Sequence, residues 1–321
     1  MPSPSCSVII PVYNGATTIE ATIRSILFQK GLLDELIIID DGSLDNSKTI
    51  IQKTLRRFGR TVACRVISHN KPMGLAGSYN DGILKSRSEL VVTLHQDILV
   101  KKDALKVLLT PFDTNNQTIV ATYHIVDHPF AVWQKYNFWQ RCLFSRLMGR
   151  KYSGLDGKFD CFRRRALIKV GLFDNQTYRR AGEDGDIINR LKKIGRLVPT
   201  KAEVIHLHSR DRNFTLKQYI HKQAQYSEAQ GVLARHYIPT SILEFLRAFF
   251  RELLVLGLFL PYIRVLAFAV LIVYAFIYTK NVFVYSWRDW RIVILPFVNM
   301  ALCFVSIIFS LRGFISGHQK I

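Results

Sequence analysis

The chain has 321 residues, long enough to bury a sizeable core as one large domain or two modest ones. With 44 Lys and Arg against 24 Asp and Glu, its formal net charge is +20 at pH 7, which suits diphosphates or an acidic lipid surface. Nucleic acid fits less well, since no nucleic-acid-binding motif is present. The five cysteines, Cys6, Cys64, Cys142, Cys161 and Cys303, are odd in number and form no CxxC pair; that excludes a thiolate metal site and suits a reducing compartment.

The N-terminal stretch MPSPSCSVIIPVYNG lacks a basic region followed by a long apolar core, so no signal peptide is expected and the first domain is expected to stay in the cytoplasm. Apolar runs at 7–12, 35–40, 62–68 and 90–94 are rich in Val and Ile and end at turn residues. Between them, 18–29, 47–58 and 75–86 space their apolar residues at helical intervals. Alternating strands and helices predict an α/β fold with a mostly parallel sheet covered on both faces. Ligands of such sheets sit beyond the carboxyl ends of the strands. Here those ends are 11–14, 40–43, 69–70 and 95–97, and all four are polar.

After Ala131 the pattern loosens. The stretch 141–180 carries eleven Lys or Arg against Asp156, Asp160 and Asp174. A helix is predicted over 184–194, stopped by Gly195, with a strand over 197–206. From Ile242 onward three acidic residues, Glu244, Glu252 and Asp289, face eight Lys or Arg. In 237–261 the charges Glu244, Arg247 and Arg251 form one helical stripe, as in a helix lying in a membrane interface. Pro261 can open a new helix, and membrane spans are expected over 262–280 and 292–312. The second is the stronger, since 292–311 are twenty residues without a charge. Buried helices of a soluble domain are the competing reading.

Several polar residues can carry chemistry. Asp40 and Asp41, in IIIDDGSLDNS, can accept from ribose hydroxyls or a base N–H, with Gly42 turning the backbone away; the same residues also suit a capped turn. LHQD places His95 and Asp97 at the fourth strand end. Glu183 and Asp184 open a helix, where acidic groups either complement the dipole or supply a base. His206, His208 and Arg210 follow the next strand in VIHLHSRDR.

SVIIPVYNG, IIIDDGSLDNS, NKPMGLAGSYNDGI before LVVTLHQD, and later GEDGDIINRLKKIG come in the order and spacing of glycosyltransferase family 2. The chain resembles that family over about residues 5–210. The resemblance implies inverting transfer from a nucleotide-diphosphate sugar on a GT-A-like catalytic domain, 1–236. Pro11, Tyr13 and Asn14 would then line the base pocket, and Asp40 and Asp41 would hold the nucleoside. Gly74, Gly77 and Asn80 would shape the approach to ribose and phosphates. Tyr79 stands where the family often has a basic residue. LHQD falls at the family's Asp-x-Asp metal motif, so Asp97 would hold a divalent cation, Mn2+ or Mg2+, joined by His206; His95 would be a ligand or a ribose contact. Asp184 would be the base that deprotonates the acceptor, with Glu183 next. Arg190 and Leu191 would fix that helix in place.

The acceptor is expected to be a membrane-associated, lipid-linked glycan, with Arg163, Arg164 and Arg165 as partners for lipid phosphate. Two alternatives stay open. One is a polyprenyl-phosphate glycosyltransferase that charges a lipid phosphate directly; the other is a non-catalytic nucleotide-sugar-binding membrane scaffold. No QxxRW motif occurs, which favours single addition over polymerisation.

Overall fold

The computed structural model describes residues 5–29, 31–113, 116–208, 211–238 and 241–321. They form two compact units. The first comprises residues 1–132, 149–175 and 183–210; the second comprises 133–148, 176–182 and 211–321.

A nine-stranded mixed sheet runs through the first unit in the order β3-β2-β1-β4-β8-β6-β9-β5, with β7 beside β6. Its parallel half is β1 (Cys6–Val12), β2 (Leu33–Asp40), β3 (Ala63–Ser68) and β4 (Leu90–Leu94), connected through α1 (Ile19–Leu27), α2 (Ser47–Phe58) and α3 (Gly74–Lys85). All seven lie within a few residues of the sequence expectation. The other half is β5 (Ile98–Val100), β6 (Ile119–Asp127), β7 (Lys151–Ser153), β8 (Phe159–Arg163) and β9 (Arg196–His206). There β8 enters antiparallel between β4 and β6, so the sheet is less uniformly parallel than the sequence implies. A helix at Glu183–Lys192 precedes β9.

Period-two alternation sorts the strand side chains between two cores. Val8, Ile10, Leu36 and Ile38 face Ile19, Ile23 and Ile51 of α1 and α2. Ile9, Ile37, Ile39 and Val91 face Tyr79 and Ile83 of α3, with Ile187 and Leu191 of the helix Glu183–Lys192. All are at most 1% exposed. Each such side chain contributes about 1.5–3 kcal/mol by leaving water. This fixes the sheet and leaves the strand ends to bear polar groups.

In the second unit, the helices Leu216–His236 and Leu295–Ser316 pack together through glycines. A Cβ on Gly231 would lie 1.9 Å from the Ser310 carbonyl oxygen, and one on Gly313 would lie 2.1 Å from that of Glu228. The sequence puts Leu216–His236 at the end of the catalytic domain; this crossing groups it with the C-terminal helices instead. A buried polar seam joins the contact. Ser310 Oγ donates to the Ser227 carbonyl (3.1 Å) and to Glu252 Oε1 (2.7 Å), and the Ser306 hydroxyl also donates to Glu252.

Among the described residues, one helix is long and apolar enough to cross a membrane: Leu295–Ser316, with 22 residues. At 1.5 Å per residue it reaches about 33 Å, the thickness of a hydrocarbon core. The other expected span is divided. Arg264–Ile277 has 14 residues, about 21 Å, and a separate helix follows at Lys280–Tyr285. Two full spans are therefore not found. The expected interface helix is likewise broken at Phe249, into Ile242–Ala248 and Phe250–Gly257.

Candidate active site

The carboxyl ends of β1 and β2 are laced into one edge. Pro11 lies within β1, Asn14 adopts a left-handed φ of 51°, and its Oδ1 accepts from Leu44 N at 2.8 Å. Ser43 Oγ accepts from Asn14 N, and Ser47 Oγ accepts from Gly15 N. The Tyr13 side chain is left 47% exposed beside them. Asp40 Oδ1 accepts from Ser43 N at 3.2 Å. Asp41 braces the next loop: Oδ1 accepts from Met73 N (2.8 Å) and pairs with His69 Nδ1 (2.7 Å), and Oδ2 accepts from Gly74 N (2.9 Å). Gly74 takes φ +79°, a backbone that a side chain would strain.

Asn80 uses its amide differently from the expectation. Its Oδ1 accepts from Phe173 N at 2.9 Å and its Nδ2 donates to Phe173 O at 2.8 Å, so it ties α3 to the loop before residue 175. Tyr79 is buried, donating from its hydroxyl to the Gly157 carbonyl at 2.9 Å. Burial raises that phenol's pKa, and the negative charges of Asp160, Glu183, Asp156 and Asp97 raise it further.

Strand register brings the next group together. β5 pairs antiparallel with β9, with Ile98 opposite His206, and this sets Asp97 beside His206. Asp97 Oδ2 lies 3.1 Å from His206 Nε2. β6 runs parallel to β9 with Asp127 opposite Ile205, so His128 follows His206 across the strand ends. His208 Nε2 lies 2.9 Å from His128 Nδ1. Burial holds His128 neutral, with a pKa near 4, and keeps His206 and His208 well below the usual imidazole range. The His95 ring stacks 6.3 Å from Tyr79, and burial lowers its pKa to about 4. Neutral imidazoles beside a carboxylate are competent cation ligands, and His128 Nε2 and His206 Nδ1 are buried without a hydrogen-bond partner. These residues therefore fit a divalent cation.

Glu183 and Asp184 lie in the first turn of their helix. Burial pushes Glu183 up to about 7, helped by the neighbouring Asp184 carboxylate. Burial also raises Asp184, opposed by the hydrogen bond its Oδ1 accepts from Gly185 N at 2.7 Å. Arg190 anchors the helix as expected, donating to Asp186 and to the carbonyls of Val170 and Leu172, while Leu191 is in the core.

The Arg163–Arg165 run does not form the expected acceptor patch. Arg163 is buried, donating to the Ile119 carbonyl and pairing with Glu89. Arg164 donates to the carbonyls of Ile83 and Leu84, and Arg165 to Gln117. They lie at the end of β8 and the start of a short helix, where Arg163 and Arg164 satisfy main-chain carbonyls and Arg165 a side-chain amide. Arg210 lies outside the described residues.

Sequence reasoning missed His128, His124 and the loop 156–160. Lys158 pairs with Asp156 and lies 3.3 Å from the Tyr152 hydroxyl; Asp156 holds its ammonium above the usual range. Asp160 accepts from Gly157 N (2.6 Å) and lies 3.0 Å from His124 Nδ1, with burial raising its pKa. The available signals were DHP at a strand end and DGKFD before a strand.

The model of "Glycosyl transferase family 2" matches residues 7–171, half of the chain. A cholesterol galactosyltransferase from Borreliella burgdorferi is 33% identical over 116 residues, 36% of this chain and 31% of its own length. An undecaprenyl-phosphate 4-deoxy-4-formamido-L-arabinose transferase from Pseudomonas aeruginosa is 32% identical over 95 residues, 29% of this chain and 27% of its own length. The chain thus spans about a third or less of these relatives. A mannosyltransferase from Pyrobaculum calidifontis, solved with GDP-mannose and Mn2+, superposes with a TM-score of 0.60 at 17% identity, covering 96% of this chain and 87% of that one. That likeness gives the fold, a GT-A-like α/β sheet flanked by helices and followed by an apolar C-terminal helix. With that match over the motif-bearing half, the chain belongs to glycosyltransferase family 2.

Proposed function

We propose that the enzyme transfers a sugar from a nucleotide-diphosphate donor to a membrane-associated, lipid-linked acceptor by a single inverting displacement. The observation that carries this reading is the placement of Asp97 just beyond the end of β4, 3.1 Å from His206 at the end of β9, on the side of the sheet where α/β folds bind ligands. Pro11, Tyr13 and Asn14 take the base, with the exposed Tyr13 ring as a stacking face, and Asp40 accepts from the nucleoside. Asp41 and Gly74 act through the loop they hold. His95, stacked on Tyr79, is taken as a ribose contact.

Asp184 accepts the acceptor hydroxyl proton. The freed oxygen attacks the anomeric carbon, and the bond to the diphosphate breaks with its electron pair leaving on the diphosphate. A carboxyl with a raised pKa is a stronger base once ionised, and burial followed by the Asp156 charge raises that of Asp184. Asp97 and His206 would hold a divalent cation, Mn2+ or Mg2+, which supplies charge neutralisation to the departing diphosphate.

A membrane acceptor is supported by the 22-residue apolar helix Leu295–Ser316 and by relatives named for cholesterol and undecaprenyl-phosphate acceptors. The second of those names favours one alternative, transfer directly onto a lipid phosphate. That acceptor is already ionised and needs no base, so a turnover-competent Asp184→Asn variant would select it. The donor assignment is tested with the full chain in detergent. Thermal stabilisation is measured across a panel of nucleotide sugars with Mn2+ or Mg2+. One nucleotide class raising Tm, only with cation present, supports the assignment; no shift with any member contradicts it.

A further inference from the structure

We propose that His128 and His208 join Asp97 and His206 as ligands, forming an imidazole-dominated site that takes a transition-series cation such as Mn2+, Co2+ or Zn2+ and discriminates against Mg2+. The proposal rests on the reading that Asp97 and His206 hold a divalent cation, and goes beyond it in ligand set and selectivity.

Three imidazoles meet within a few ångströms. One nitrogen from each of His128, His206 and His208 lies within 4.8 Å of the others. The His206 and His208 rings stack with centroids 3.5 Å apart, and His128 lies 5.2 Å from His206 and 5.0 Å from His208. Asp97 Oδ2 approaches His206 from the β5 side, 3.1 Å from its Nε2. The register that builds this is specific: β9 has β6 on one side and β5 on the other, so the strand ends deliver His128 and Asp97 to opposite flanks of His206.

A plain hydrogen-bonded pair does not use up this cluster. The contact between His128 Nδ1 and His208 Nε2, at 2.9 Å, needs only one proton between two nitrogens. His128 Nε2 and His206 Nδ1 remain buried without partners, and a desolvated polar atom left that way is destabilising. His208 is held at φ 49°, a left-handed backbone that turns it back over His206. A cation that accepts imidazole lone pairs offsets both costs. Because an imidazole binds a cation in its ring plane, occupancy requires the stacked His206 and His208 rings to rotate out of their present arrangement.

The donor types set the selectivity. Mg2+ demands near-octahedral oxygen ligands and gives up water reluctantly. Imidazole suits the later first-row ions, with affinity rising along the Irving–Williams order. A site with three imidazoles and one carboxylate therefore inverts the preference that a pair of carboxylates would have.

The test uses the full chain in detergent and the metals alone. Affinities for Mg2+, Mn2+, Co2+ and Zn2+ are measured by equilibrium dialysis and calorimetry, and bound Mn2+ is examined by pulsed electron paramagnetic resonance. The expected results are Mn2+ and Co2+ binding at least about tenfold tighter than Mg2+, and nitrogen couplings from more than one imidazole on Mn2+. His128→Gln and His208→Gln should each weaken Mn2+ at least about tenfold, the low end of what even an outer partner costs, with Mg2+ little changed. The wild-type resonance spectrum does not depend on any variant folding. Coupling to a single nitrogen, or equal affinity for Mg2+ and Mn2+, overturns the proposal while leaving the Asp97 and His206 assignment standing. Failure of every cation to bind, or binding that survives Asp97→Ala, overturns both.

Discussion

His206 Nε2 and Asp97 Oδ2 lie 3.1 Å apart, although 109 residues separate them in the chain. The contact exists because Ile98 of β5 pairs with His206 of β9, so the pair is set by sheet register rather than by either loop. A one-residue slip would turn His206 to the other face of the sheet. Asp97→Ala should therefore leave the fold intact and remove cation-dependent binding of nucleoside diphosphate. Titration of diphosphate with and without Mn2+ checks this; metal-sensitive binding retained in the variant contradicts the assignment.

Asp184→Asn should bind donor like the native enzyme yet turn over at least about a hundredfold more slowly, the low end for a lost general base. Single-turnover kinetics with saturating donor separate the two effects. Near-native turnover moves the base to Glu183 or indicates an acceptor that is already ionised.

Glu183 gives a pH prediction whose sign follows from its raised pKa of about 7. The folded state holds this proton more tightly than an unfolded carboxyl, whose pKa is about 4.3. The stability so contributed is fully present below about 4.3 and is lost as pH rises through about 7. Glu183→Gln removes that slope. The gap in Tm between variant and native protein should shift in the variant's favour from pH 5 to pH 8; a gap independent of pH would show that Glu183 is not desolvated.

How much of this was legible depended on what was local. In β1, β2 and β4 the apolar residues run nearly unbroken to a polar turn, with Asp40 at the end of β2 and Asp97 just beyond β4, while Asp184 was legible as part of an acidic first turn of a helix. The antiparallel half was opaque because β5, β7 and β8 have three to five residues, too short for a period. His128 and Lys158 reach the site through pairings far apart in sequence, so the short signals beside them, DHP and DGKFD, do not say which residues they meet. Arg163 to Arg165 misled for the opposite reason. A run of guanidinium groups reads as surface charge, whereas Arg163 is 4% exposed at the end of a buried strand. The expected first membrane span failed on length, since an apolar composition does not say where a helix breaks.

The helix crossing in the second unit predicts a steric cost. Gly231→Val would place its Cβ 1.9 Å from the Ser310 carbonyl oxygen, so the helices must separate. A loss of about 1–3 kcal/mol is expected, as for other overpacked contacts. Thermal unfolding in detergent measures it, and an unchanged Tm contradicts the close approach.

If Leu295–Ser316 crosses a bilayer, membrane-bound protein should resist high salt and alkaline carbonate and yield to detergent. Release by salt alone would mean that this helix lies on the surface or within the protein.

The most direct test of the central claim is turnover. Full-length enzyme is incubated with Mn2+, each of a panel of nucleotide sugars and a membrane lipid extract, and release of nucleoside diphosphate is followed together with sugar incorporated into lipid. The expected result is stoichiometric transfer from one donor, dependent on lipid extract and abolished by Asp97→Ala. No diphosphate release from any donor, or release without sugar reaching the lipid fraction, would contradict it.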